Sequence, residues 1–295
     1  MKILLFFTVF ILVACTNQKD LSGYDIHIDK TYIEYLSSLE LPDSLDFCGE
    51  RVPLEIPEVR ERAEREFYLL LQQPGQIILY LKRSGRYFPL FERILAETQM
   101  PDDIKYLSVA ESALYMARSS KDAVGLWQFI PETAKAMGLI INDFVDERRH
   151  PEKSTYAAIK YLKMGYSNHK SWLLTAAGYN MGHHNIIENI NFQGKDNYFD
   201  LLLNEETSRY IFRIVCIKEI MKHSEKYGFK IRDDRKYKQE NVKIIEWDKE
   251  INNLSEWAKQ YNTTYKDIKL MNPWILKRSL PTPTKGHIYR IYIPE

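Results

Sequence analysis

The sequence predicts a mostly α-helical chain that ends in a small α+β unit, and three observations carry that expectation. From Glu58 to Tyr227 apolar residues recur with helical spacing, and Pro101, Pro131 and Pro151 stand where helices would open. Beyond a charge-rich stretch at 229–241, containing Arg232-Asp-Asp-Arg-Lys, the spacing changes. Val242 to Trp247 and Ile288 to Ile293 alternate as strands do, with two short helical patterns between them, Asn253 to Tyr261 and Tyr265 to Met271. With 295 residues, 45% apolar composition and five tryptophans, the chain can bury one sizeable core and a second small one.

The first fifteen residues, Met1-Lys-Ile-Leu-Leu-Phe-Phe-Thr-Val-Phe-Ile-Leu-Val-Ala-Cys15, carry one positive charge and a short apolar run. A helix needs about twenty apolar residues to span a bilayer, so the run reads as a signal peptide over 1–14. Leu12-Val-Ala-Cys15 resembles a bacterial lipobox. That resemblance implies cleavage before Cys15, acylation of this residue, and a chain anchored by lipid in the cell envelope on the periplasmic face of the outer membrane. Residues 15–52 read as a tether, with a weak alternation at Tyr24-Asp-Ile-His-Ile-Asp and a short helical pattern from Tyr32 to Leu39. Cys48 and Cys216 remain, the latter in an apolar helical pattern where a free core thiol is expected. An oxidising compartment also leaves open a bond between them.

The helical unit is expected over 53–228. Glu58 to Leu71 reads charged then apolar, Gln76 to Ser84 and Tyr87 to Thr98 read as two amphipathic helices, and Pro101 opens the helix that carries Glu111. On that helix Ile104, Leu107 and Glu111 share a face, which places a carboxyl where burial is expected. An acidic side chain among apolar neighbours has a raised pKa and can stay protonated near neutrality, as a general acid for glycosidic bonds must. Pro131 opens a helix ending near Gly138, and Pro151 opens another through Ala157, Ala158, Tyr161 and Leu162. Trp172 to Tyr179 is apolar nearly all round and so buried, and Gly182 breaks it. Asn185 to Ile190 and Glu206 to Tyr227 complete the unit.

Glu111-Ser112, Ala117-x-Ser119, Ala123-x-Gly125-Leu-Trp-Gln128-Phe-Ile-Pro131-x-Thr-Ala134 and Ala177-Gly-Tyr179-Asn180-x-Gly182 together resemble the lytic transglycosylase domain of lysozyme-like fold. The form most similar is that of the membrane-bound lytic murein transglycosylases of the D type. The loop after Glu111 is one residue shorter than that pattern and lacks its Asn-Pro, and Asp122 stands where glycine is common. The resemblance implies that Glu111 is the catalytic acid and then base, cleaving the MurNAc-GlcNAc β-1,4 bond of peptidoglycan with closure of a 1,6-anhydro ring. It further implies that Ser112, Ser119, Gln128, Tyr179 and Asn180 contact or orient substrate. A tethered nucleophile makes a second carboxylate unnecessary.

Leu254-Ser-Glu-Trp-Ala-Lys-Gln-Tyr, Asp267-Ile-Lys-x-x-Asn272-Pro and the closing Ile-Pro294 resemble a LysM module, a βααβ glycan-binding fold, over 242–295. The Gly-Asp-Thr usual before its first helix is replaced by Ile251-Asn-Asn. The charged 229–241 stretch reads as a linker between two separable cores.

Other chemistries find little support. A net charge of +1 argues against electrostatic nucleic-acid binding. Adjacent His183 and His184 point apart on a helix and have no third ligand at suitable spacing, so neither metal nor cofactor is expected. Two alternatives stay open: a non-catalytic wall-binding lipoprotein, and a hydrolytic muramidase with Asp122 as second carboxylate.

Overall fold

The computed structural model describes residues 30–295, and Cys15 and the alternating stretch at 24–29 lie outside them. The chain divides at Glu40/Leu41. Before that point the described part is helix α1 (Lys30–Ser38). From Leu41 onward come a tiny hairpin, β1 (Asp46–Phe47) and β2 (Glu50–Arg51), then α2 (Pro57–Leu71), α3 (Pro74–Glu97), α4 (Lys105–Ser112), α5 (Pro131–Ala136), α6 (Pro151–His169), α7 (Trp172–Met181), α8 (His183–Gln193) and α9 (Glu205–Lys222). The C-terminal unit is β3 (Val242–Trp247), α10 (Leu254–Lys259), α11 (Tyr265–Met271) and β4 (Tyr289–Pro294). The architecture is therefore mostly α with a small α+β end, as the periodicity predicts.

Helix α9 is the axle of the helical domain. It packs against α2, α4 and α7, and Tyr210, Ile211, Phe212, Ile214, Val215, Cys216 and Ile217 are all buried. A helix buried on most of its circumference belongs inside a bundle rather than on it. Asn204 caps it by accepting from the Thr207 amide at 2.9 Å. Cys48 and Cys216 are both free thiols.

Three stretches differ from the sequence expectation. Residues 41–52 are no tether: Leu41, Leu45, Phe47 and Val52 are buried, and Lys218 of α9 clamps the hairpin through Asp46 (2.8 Å) and Asp103 (2.6 Å). Apolar side chains spaced too irregularly for helix or strand still bury area, which periodicity does not detect. The two helices expected on either side of Gly85 are one, α3, with Pro89 inside it. An internal proline costs about 3 kcal/mol, but Ile77, Tyr80, Leu81, Phe91, Ile94 and Leu95 are buried on both sides of it, and that burial outweighs the break. Gly85 is where the 229–241 stretch crosses: a Cβ there would meet the Tyr237 carbonyl, and the Tyr237 amide donates to Lys82 O at 2.8 Å. The stretch read as a linker thus runs along α3.

The C-terminal unit holds an antiparallel β3–β4 pair, in register from Val242↔Pro294 to Trp247↔Tyr289. Its core gathers Leu254, Trp257, Ile268, Trp274, Ile291 and Ile293. Buried Asn272 donates to the Ile268 and Tyr292 carbonyls and accepts from the Tyr292 amide at 2.8 Å, tying α11 to β4. The Ile251-Asn-Asn variation has a physical account, since Asn253 caps α10 by accepting from the Ser255 and Glu256 amides. Val145 of the helical domain is buried within this core, so the two cores touch there.

Candidate active site

Helix α4 ends at Ser112 because Ala113 and Leu114 both adopt left-handed backbone, with φ of 55° and 54°. Such consecutive non-glycine residues are held only when their surroundings over-determine them. Arg83 of α3 supplies part of that hold by donating to Ala113 O at 2.9 Å. Glu111 therefore sits in the last turn of a helix stopped by force, half-buried, at the edge of the core.

Its surroundings come from α9. Tyr210 donates its phenol to Glu111 Oε1, and Glu206 and Arg213 lie near enough to act on its charge. Burial pushes the Glu111 carboxyl up from 4.5 to about 7; Glu206 pushes the same way, while the Tyr210 hydrogen bond and Arg213 oppose it. Arg213 is itself placed by buried Glu66, 3.7 Å away. The carboxyl is thus divided between its two protonation states near neutrality, which suits a group that must give a proton and later take one. Tyr179 and Tyr210 have phenols pushed well above 10 by burial beside Glu111, so both stay neutral donors.

The Gly125-Leu-Trp-Gln-Phe block forms an irregular loop whose carbonyls need partners. Ser108 and Ser112 both donate to Leu126 O, at 2.9 and 2.8 Å. Tyr179 donates to Trp127 O at 2.7 Å, Gln128 donates to Gly125 O at 2.8 Å, and Arg148 donates to Phe129 O at 3.1 Å. The indole of buried Trp127 reaches Thr155 Oγ1 at 2.9 Å. The repeated motif residues are largely those that satisfy this loop.

Each sequence candidate has partners in this structure. Ser112 is buried and donates to main-chain carbonyls, so it fastens the loop to α4. Gln128 and Tyr179 likewise spend donors on the loop, and Tyr179 lies near enough to Glu111 to feel its charge. Ser119 accepts from the Lys121 and Ala123 amides and shapes the turn between them. Asn180 accepts from Thr207 at 2.7 Å and donates to Glu206 at 3.3 Å, bracing the corner where α7 meets α9. Asp122 pairs with Arg118 at 2.7 Å and faces Arg148 at 3.9 Å. Among the described residues the carboxylate acting on Glu111 is Glu206 rather than Asp122. Of the two histidines, His183 is buried against Gly165 and Gly178 with Nε2 at 3.2 Å from Tyr161 O, and His184 pairs with Glu188.

Tyr210, Glu206 and Arg213 were not anticipated, although a signal exists. They recur at i, i+4 and i+7, the spacing that places side chains on one face of a helix. Glu206→Gln removes a negative neighbour, so the Glu111 pKa should fall and the alkaline limb of the pH–rate profile should move to lower pH. A limb that stays in place would show that the two carboxyls do not interact.

A half-buried, proton-poised glutamate bonded to Tyr210, beside a loop fixed by its own motif residues, defines a candidate acid–base site. Residues 89–201 match the transglycosylase SLT domain, and residues 243–295 match the soluble lytic transglycosylase C-terminal LysM-like domain. The chain carries these two domains. It is homologous to membrane-bound lytic murein transglycosylase D of Escherichia coli, from strain K12 and from strain O6:H1, at 28% identity over 191 residues. The matched region is 63% of this chain and 42% of each relative. The chain thus spans less than half the length of these curated relatives.

Proposed function

We propose that the chain is a peptidoglycan lytic transglycosylase working through Glu111 alone. The observation that carries this reading is a half-buried carboxyl raised to about 7 and bonded to Tyr210 inside the matched SLT domain. Glu111, protonated, gives its proton to the glycosidic oxygen leaving C1 of N-acetylmuramic acid, and that bond breaks as positive charge develops at C1. The carboxylate left behind takes the proton of the same sugar's C6 hydroxyl, whose oxygen bonds to C1. Water is not consumed and Glu111 ends protonated. Tyr210 and Arg213 steady the transient carboxylate, and Glu206 favours return of the proton.

The hydrolytic alternative needs a second carboxylate free to activate water. Asp122 is engaged by Arg118 and Arg148, which disfavours it. Mass spectrometry of digested sacculi tests the choice: anhydro-terminated muropeptides weigh one water less than hydrolysis products. Reducing ends alone would overturn the transglycosylase reading. A chain that bound sacculi and released nothing would favour the wall-binding alternative.

We further propose that Cys15, in its Leu-Val-Ala-Cys setting, is the lipid anchor that keeps the enzyme in the envelope, on the periplasmic side of the outer membrane. Cys15→Ala should shift the chain from the detergent phase to the aqueous phase while turnover of soluble glycan is kept. Identical partitioning of both forms would remove Cys15 from that role.

A further inference from the structure

The segment 144–152 lies between the two domains. On one side it belongs to the LysM-like unit: Asp146 N donates to Trp274 O at 2.9 Å, Leu276 N donates to Phe144 O at 2.8 Å, and Val145 bridges Ile275 in antiparallel fashion. His150 stacks on Trp274 with ring centroids 5.9 Å apart, and Tyr292 donates to Glu152 at 3.0 Å. On the other side the segment holds the loop beside Glu111. Asp146 takes two hydrogen bonds from Arg148, each of 2.9 Å. The far end of the same guanidinium donates to Asp122 O at 2.7 Å and to Phe129 O at 3.1 Å. Gly125, at φ +88°, lies so close on the Arg148 carbonyl that a Cβ would overlap it. Arg148 therefore touches the loop at three points.

Asp146 and Arg148 are 5% and 4% exposed, so this ion pair is held out of water. Burying such a pair contributes little net stability, whereas its planar two-pronged geometry fixes position. The loop needs fixing, because Asp122 and Gln128 hold left-handed backbone at 58° and 48° without being glycine.

We propose that Arg148 is a positioning residue for the reactive site, set in place by Asp146 and by the docked LysM-like domain, so that the C-terminal domain shapes loop 117–129. The inference rests on reading Glu111 and this loop as the reactive site. The LysM-like domain then acts on turnover even for substrates too short to gain from an extra binding module.

The test uses the full chain with Arg148→Lys, which keeps the charge and loses the fork, and Val145→Ala, which loosens the C-terminal core from the segment. Neither residue contacts Glu111. Two readouts are taken: kcat and KM on a short soluble glycan, and hydrogen exchange of the Val124 and Gly125 amides, which bond to Phe129 O and Ala117 O. In both variants loop protection should fall about tenfold while α9 stays protected. kcat should fall about tenfold or more with KM nearly unchanged. Loop protection and kcat unchanged in a folded Val145→Ala would overturn the role of the C-terminal domain, and the same result in Arg148→Lys would overturn that of Arg148. If the wild-type chain turns over no glycan, the proposed function fails, yet loop exchange still decides the coupling.

Discussion

Glu111→Gln is expected to lose at least about a thousandfold in muropeptide release, since general acid–base catalysis alone contributes about 10²–10⁴ and one residue here serves both steps. The amide fills the same space and can still accept from Tyr210, so the fold is kept. The variant should also differ in stability with a definite sign. The wild-type carboxyl has a folded pKa of about 7 against 4.5 for the ordinary group. The folded state therefore binds that proton more tightly, and the contribution of this one group to stability is fully present below pH 4.5 and is lost as pH rises through 7. Above that window ionised Glu111 destabilises the fold by at most on the order of 3 kcal/mol. Gln has no such penalty, so Glu111→Gln should gain on wild type between pH 4.5 and 8. Turbidity loss of sacculi and denaturant unfolding at the two pH values check both halves. Strong residual turnover in a folded variant would remove Glu111 from the chemistry, and parallel pH–stability curves would show a carboxyl of ordinary pKa.

Much of this arrangement can be read along the chain. Pro131 and Pro151 do open helices, and the apolar face of the Ile104–Glu111 stretch does place the carboxyl against the core. The strand–helix–helix–strand order after Val242 is met element by element. What could not be read depends on contacts between distant segments. The role of Ser112 in fastening the loop is not legible along the chain, because the irregular loop it serves exists only once Leu126 folds back over α4. The stretch at 229–241 looked like a linker because it is charged, and charge does not prevent its backbone from lying along Gly85. Glu206, Tyr210 and Arg213 share one helix face by their spacing, yet nothing local to α9 says which carboxyl that face will meet. Val145, a lone valine in a loop, gives no sign that the core it enters lies in the C-terminal unit.

Tyr210→Phe should separate the two duties of the Glu111 carboxyl. The phenol donates to Glu111 and thereby favours its ionised form, opposing the burial that raises the pKa. Without that donor the carboxyl should hold its proton to higher pH, and the alkaline limb of the pH–rate profile should move upward, opposite to the shift expected for Glu206→Gln. The plateau rate should fall at the same time, because giving up the proton now leaves a carboxylate with one strong donor fewer. Hydrogen bonds to charged groups contribute about 1.5–3 kcal/mol, which corresponds to roughly a tenfold to hundredfold loss in kcat. Phenylalanine keeps the ring of Tyr210, which is 2% exposed, so the packing of α9 survives. Profiles of kcat against pH for wild type, Tyr210→Phe and Glu206→Gln, on one soluble glycan, give the decisive comparison. A lower plateau with an unmoved limb would mean that Tyr210 touches the substrate rather than the acid. An unchanged plateau and limb would mean that the bond to Glu111 does not persist during turnover.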